Sequence, residues 1–373
     1  MEDKVITEFN NRRKFLRNTA LGAVGATLLG ALPSSQAVAM PSKPDLDRDI
    51  SLRHQAEQEE AENFCRSLFL AMDDLDVEGF LGFFSDENYQ QDIILGDFSD
   101  LLGGTFAHCS LYPKSEFRSV VSALFARIGR PGRLMKFIHS TGSIKYGVAV
   151  DLHTMPNSFF MGGVDLVSYI DIRDGKIVRR NDYYDTAELT PADIAFVHPG
   201  GVPRQSCLAG PLPGDIGHAS SEMWNFTHAL HGALSSGHVG RVLQFFDEDA
   251  LLIHPLLYRG SGGYGPFNRG IQIRGRKAIA RFFQAVLPLL PDGKDSSLIH
   301  LIGGATGGGY EWKSGGIYSQ QGIARNGIPG VTAIDLYGDR VQRMSVKFDT
   351  LQMLPEQRDA VRRALADECL VVP

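Results

Sequence analysis

One eleven-residue segment occurs twice in this chain, and that recurrence limits the possible folds more than any other feature. The first copy is Lys176-Ile177-Val178-Arg179-Arg180-Asn181-Asp182-Tyr183-Tyr184-Asp185-Thr186. The second, 164 residues later, is Arg340-Val341-Gln342-Arg343-Met344-Ser345-Val346-Lys347-Phe348-Asp349-Thr350. Each follows a turn rich in Asp and Gly, reads as a strand, ends in aromatic-Asp-Thr, and precedes a helix with a proline near its start, Pro191 or Pro355. Phe83-Phe84 recurs as Phe245-Phe246 at an offset of 162, and Phe137-Ile138-His139 as Leu298-Ile299-His300 at 161. A nearly constant offset over that span predicts one kind of domain used twice in tandem.

Each copy reads as helices followed by strands. In the first, residues 51–74 carry Phe64, Leu68 and Met72 at helical spacing, and residues 115–127 place Phe117, Val120, Val121, Leu124 and Phe125 on one face. Residues 134–140, 144–152, 159–172 and 176–184 are rich in β-branched and aromatic residues and are separated by turn formers, which predicts an antiparallel meander. The stretch 89–112 reads as irregular. Helices then a meander is an α+β pattern. The expected division is a first domain over 51–195, a Pro/Gly-rich linker over 196–217, and a second domain over 218–368. Two further Gly-rich stretches, 259–270 and 303–309, lack a phosphate-binding arrangement and are expected to be long loops at a pocket mouth.

The N-terminus carries a separate signal. Arg12-Arg13-Lys14-Phe15-Leu16 precedes an apolar run over 19–32, and Ala37-Val38-Ala39 supplies a small-x-small cleavage pattern. The run is short for a membrane span. Residues 1–39 therefore resemble a twin-arginine signal peptide, which implies handling by the twin-arginine export machinery, a periplasmic or secreted protein, and no stable membrane span after cleavage. The chain has a net charge of −6, and the part beyond residue 39 is near −8, which argues against nucleic acid as a partner. Cys65, Cys109, Cys207 and Cys369 show no metal-finger spacing; disulfides and buried free thiols both fit.

The order of elements, closing on Asp174-Gly175-Lys176-Ile177 and Asp182-Tyr183-Tyr184-Asp185, resembles the SnoaL-like branch of the nuclear transport factor 2-like superfamily, once per half. The resemblance implies a cone: a curved, mostly antiparallel sheet wrapped by about three helices around a mostly apolar pocket. It also implies cofactor-independent chemistry on a small hydrophobic or aromatic substrate. Single-domain relatives often pair through the sheet, so the two halves are expected to form an internal pseudo-dimer. In the limonene-1,2-epoxide hydrolase branch, the Asp matching Asp182 faces a second Asp across the pocket, and Asp151 falls where that partner is expected. The sequence departs from that branch at Ala149, where an Arg would stand.

Strand alternation puts Val178, Arg180, Asp182 and Tyr184 on one face and Asn181, Tyr183 and Asp185 on the other. A carboxylate in an apolar cone is a candidate general acid or base, and two facing carboxylates can divide the roles. The candidate catalytic set is Asp182, Asp151, His139 and Tyr89, with Asp92, Arg180, Tyr184 and His300 as substrate-binding candidates. The competing expectation is that Asp182 is a strand-face residue paired with Arg180, and that His139 and His300 share a structural role. In the second half the matching face reads Gln342, Met344, Val346 and Phe348, so the acid is replaced. His254, His300 and Glu311 remain as polar residues there, but no third ligand at a recognisable spacing points to a metal. The favoured function is acid/base chemistry in the first cone, namely isomerisation, cyclisation, dehydration, lysis or epoxide opening. The alternatives are a binding protein for a hydrophobic small molecule and a purely structural or assembly module.

Overall fold

The computed structural model describes residues 43–92, 111–128, 135–154, 164–185, 187, 218–257, 272–289, 297–313, 328–350, 353–368 and 370. Residues 1–39, residues 196–217, the 259–270 stretch, and Cys109, Cys207 and Cys369 lie outside these residues. Cys65 is a buried free thiol.

The first half contains α1 (Lys43–Asp73), α2 (Val77–Leu81), β1 (Phe84–Asp92), β2 (Leu111–Pro113), α3 (Lys114–Ile128), β3 (Met135–Ser143), β4 (Gly147–Thr154), β5 (Asp165–Arg173) and β6 (Lys176–Tyr184). Its sheet runs β2-β1-β6-β5-β4-β3. The second half contains β7 (His218–Ala219), α4 (Ser221–Ser235), α5 (Val239–Leu243), β8 (Phe246–Ile253), β9 (Gln272–Arg274), α6 (Arg276–Val286), β10 (Ser297–Gly304), β11 (Gly307–Lys313), β12 (Pro329–Tyr337), β13 (Arg340–Phe348) and α7 (Pro355–Asp367). Its sheet runs β7-β10-β11-β12-β13-β8-β9. The α+β class holds: each half is a curved sheet with helices on one face. Residues Asp47–Pro373 form one compact unit.

The helices form where the apolar spacing demands. Ala61, Cys65, Leu68 and Met72 of α1 are buried, as are Phe117, Val121 and Phe125 of α3. Phe80, Phe84, Phe117 and Phe125 pack ring to ring at 5.0–6.4 Å between the helices and the sheet. Asp76 starts α2 by accepting the Gly79 N–H at 2.9 Å.

Strand β1 is a correction to the irregular reading of 89–112. Its sequence, Ser85-Asp86-Glu87-Asn88-Tyr89-Gln90-Gln91-Asp92, has little β propensity, but it runs parallel to β6 and antiparallel to β2. Pairing within the sheet overrides local preference here. β8 runs parallel to β13 in the same way.

The two sheets pack face to face across a seam. Gly303–Gly309 is not a loop at a pocket mouth, as expected from its composition, but the β10–β11 hairpin and the start of β11. Gly147 (φ 126°) and Gly307 (φ 133°) hold matching places beside the hairpin turns of the two sheets. A Cβ on Gly147 would lie 2.9 Å from the Ile302 side chain, and one on Gly307 would lie 2.5 Å from Thr141 Oγ1. Glycine is therefore required both for the backbone angle and for the approach of the sheets.

Candidate functional site

Strand pairing sorts the candidate residues onto two faces. Ser168 stands opposite Asp182, Val150 opposite Ser168, and Val167 opposite both Asp151 and Tyr183. Paired residues share a face, and successive residues alternate. Val150, Ser168, Arg180, Asp182 and Tyr184 thus face the helices, whereas Asp151, Val167, Arg179, Asn181 and Tyr183 face the other sheet. Asp151 and Asp182 lie on opposite faces of one sheet. The expected pair of carboxylates across a pocket is not formed.

Asp151, His139 and His300 belong to the seam. Asp151 is ion-paired with Arg343 at 2.5 Å and accepts from Ser345 Oγ at 2.7 Å. His139 Nε2 meets Asp335 Oδ2 at 2.5 Å, and His300 Nε2 meets Asp171 Oδ2 at 2.9 Å. Glu311 pairs with Arg179 and accepts from Asn181 Nδ2 at 2.5 Å and Tyr183 Oη at 2.8 Å.

These contacts are reciprocal. His139 and Asp151 are cross-strand neighbours facing Asp335 and Arg343, which are neighbours in turn. His300 and Glu311 are neighbours facing Asp171 and Arg179. The partners correspond at offsets of 160 to 164, so each half gives the other what it receives. The two groups differ in exposure. Arg179, Glu311, His300 and Asp171 have fully buried side chains, whereas His139 keeps 31% of its side chain exposed.

Buried acids of this kind affect their neighbours. Desolvation, reinforced by the Glu311 carboxylate, raises the Tyr183 and Tyr169 phenols well above their usual range, so both stay protonated. Desolvation lowers Arg179, but Glu311 together with Tyr169, Asp171 and Tyr183 outweighs it and leaves the guanidinium above its ordinary value. At another point on the seam, Asp165 accepts from His153 at 2.7 Å. Desolvation alone would raise Asp165, yet the His153 bond and the Lys347 charge hold it below the ordinary carboxylate value.

The helix-covered face of the first sheet holds a different cluster. Arg180 Nη2 lies 3.0 Å from Asp182 Oδ2, with side chains 5% and 12% exposed. Arg180 Nε reaches Asp182 Oδ1 at 3.2 Å and Ser168 Oγ at 2.9 Å, and Ser168 donates to Asp182 Oδ1 at 2.6 Å. The guanidinium carbon sits 5.4 Å from the Phe69 ring centre of α1. Tyr184 is buried on the same face. Tyr89 and Asp92 have Cα partners Arg179 and Asp182 on β6; their side chains lie outside the described part of the strand. Ser168 and Phe69 were not anticipated, because their roles depend on which strand and helix lie next to β6.

Among the described residues no group of three or more His, Cys, Asp or Glu gathers to hold a metal. No protein-family model matches the sequence, and no curated protein does either. Solved structures do resemble it. One is an uncharacterised protein with a cystatin-like fold from Silicibacter pomeroyi (15% identity, 40% of this chain, 87% of that one, TM-score 0.28). Another is a SnoaL-like protein of unknown function from Burkholderia thailandensis (12% identity, 35% and 95%, TM-score 0.28). A third is a steroid delta-isomerase from Pseudomonas aeruginosa (10% identity, 40% and 93%, TM-score 0.27).

Proposed function

We propose that the helix-covered face of the first sheet binds a small, largely apolar molecule and that Arg180, Asp182 and Ser168 recognise its polar end. One observation carries this reading. The second sheet has Met344 and Val346 where the first has Arg180 and Asp182, and both are buried against its helices. An apolar pair therefore satisfies this fold at these positions. A buried ion pair is often no more stabilising than the apolar residues that could replace it. Its presence on one sheet only points to a ligand rather than to packing. Because the two charges offset each other, the cluster suits a neutral group that both donates and accepts, such as a hydroxyl or a carbonyl.

Acid/base transfer at Asp182 is the second reading, favoured by the side-chain exposure it retains beside an oriented Ser168 hydroxyl. The wider proposal is a tandem, exported member of the SnoaL-like group, with residues 1–39 as a cleaved leader. It is supported by the repeated motif and the arginine pair, and N-terminal sequencing of the secreted protein tests the leader.

The test of the site is thermal-shift and calorimetric binding with a panel of neutral aromatic alcohols and ketones. Wild type is expected to bind at least one compound. The double variant Arg180→Met, Asp182→Val is expected to fold and lose the preference for polar over matched hydrocarbon compounds. Asp182→Asn separates the readings: retained binding with lost turnover assigns catalysis, whereas loss of the polar preference alone assigns recognition. A double variant that binds like wild type would overturn the proposal.

A further inference from the structure

The second sheet presents a different chemistry to its helices. His254 follows β8 with its ring 4.8 Å from Phe282 and 5.7 Å from Phe348, and Phe348 meets Trp312 edge-on at 5.7 Å. The Leu256 N–H donates to His254 Nδ1 at 3.3 Å, so the neutral ring carries its proton on Nε2. Desolvation, aided by the Lys347 charge, pushes the imidazole down to about 3. The ring is therefore neutral at ordinary pH, and Nε2–H is an uncharged donor.

No described residue accepts from that donor. The indole N–H is already engaged, since Trp312 Nε1 donates to Thr332 Oγ1 at 3.0 Å. His254, Trp312 and Leu298 are half-buried, while Phe282, Phe348, Val346 and Tyr310 are buried. The N–H, without an acceptor among the described residues, thus sits on a half-buried ring beside an aromatic surface whose strand residues Met344, Val346 and Phe348 are uncharged.

We infer that this surface is a second binding site, for a flat aromatic molecule with one hydrogen-bond acceptor, such as an aryl ketone. His254 Nε2–H donates to the acceptor, and Phe282, Phe348 and Trp312 pack against the rings. The site is independent of the one on the first sheet and selects on a different basis, a single donor in apolar surroundings in place of an ion pair.

The experiment uses the full chain carrying Trp224→Phe, which leaves Trp312 as the single tryptophan. The probes are 2-acetylnaphthalene and 2-isopropenylnaphthalene, matched in shape and differing in the carbonyl. Saturable quenching of Trp312 is expected from both, with the ketone bound about tenfold more tightly, the size of one neutral hydrogen bond. His254→Phe and His254→Leu should each retain hydrocarbon binding, which shows the surface is folded, and lose the tenfold preference. Arg180→Met with Asp182→Val should change neither. Absence of saturable quenching, or a ketone preference that survives both His254 variants, overturns the assignment. So does quenching abolished by the first-sheet double variant, since it would place the probe on the other sheet.

Discussion

His254 links acid to instability through a single side chain. Its folded pKa, about 3, lies below the ordinary 6.5. Above 6.5 both states are neutral and it contributes nothing. Between 6.5 and 3 the unfolded chain takes up a proton that the native ring refuses. Stability therefore falls with falling pH across that window, by up to about 1.4 kcal/mol per unit. His254→Asn keeps an acceptor for the Leu256 N–H, and in denaturant titrations it should flatten the dependence between pH 6.5 and 3. Asp165 works in the same direction lower down: its depressed carboxyl stabilises fully above about 3.8 and loses that contribution as pH falls through its folded value. Asp165→Asn should remove the steepest acid loss below that pH. An unchanged acid limb would show that the His153 and Lys347 contacts are not what holds it. Burial also raises the Cys65 thiol well above its usual range, so a thiol reagent should label it only at the rate of unfolding.

Among the elements, β6 shows how two neighbouring ion pairs can have opposite consequences. Arg179 and Arg180 are adjacent, both buried, and point to opposite faces. Removing Arg179 strands Glu311 in the seam, so Arg179→Met should cost about 3–5 kcal/mol in chemical denaturation. Arg179→Met with Glu311→Leu should recover most of that loss. The Arg180→Met, Asp182→Val pair should instead be neutral or stabilising by about 1–4 kcal/mol. If the Arg180→Met, Asp182→Val pair proved as destabilising as Arg179→Met, the contrast between the seam and the helix-covered face would fail. Gly307→Ala should cost about 1–3 kcal/mol or more, because the alanine needs a positive φ and meets Ile334 O and Thr141. Alternation along β6 was legible in the sequence, including the grouping of Arg180, Asp182 and Tyr184. The face that Asp151 would take was not, because it depends on the register of β4 against β5 and not on spacing within either strand. The strand at residues 84–92 was hidden for a similar reason: its polar residues pair only because β6 lies beside them.

At the scale of the whole molecule, the apolar packing crosses the seam. Ile302, Val331 and Ala333 of the second sheet join the core built on the first. The two halves should therefore unfold together, giving one calorimetric transition whose van't Hoff and calorimetric enthalpies agree. Two resolved transitions in wild type would show that the seam is weaker than its contacts imply. The two-part plan of sheets and helices was readable from the recurring segment and its constant offset. The seam was half readable: His139 and His300 were seen to correspond, but their partners Asp335 and Asp171 could be recognised only once the sheets were set face to face.

The reciprocity of that seam has a consequence for change over time. In a symmetric pair of identical chains, every substitution appears twice, so neither helix-covered face can alter without the other. Here both partners are written into one chain at a fixed one-to-one ratio, and each position can drift alone. Arg180 and Asp182 can persist on one side while Met344 and Val346 occupy the other, and the shared surface between them continues to match.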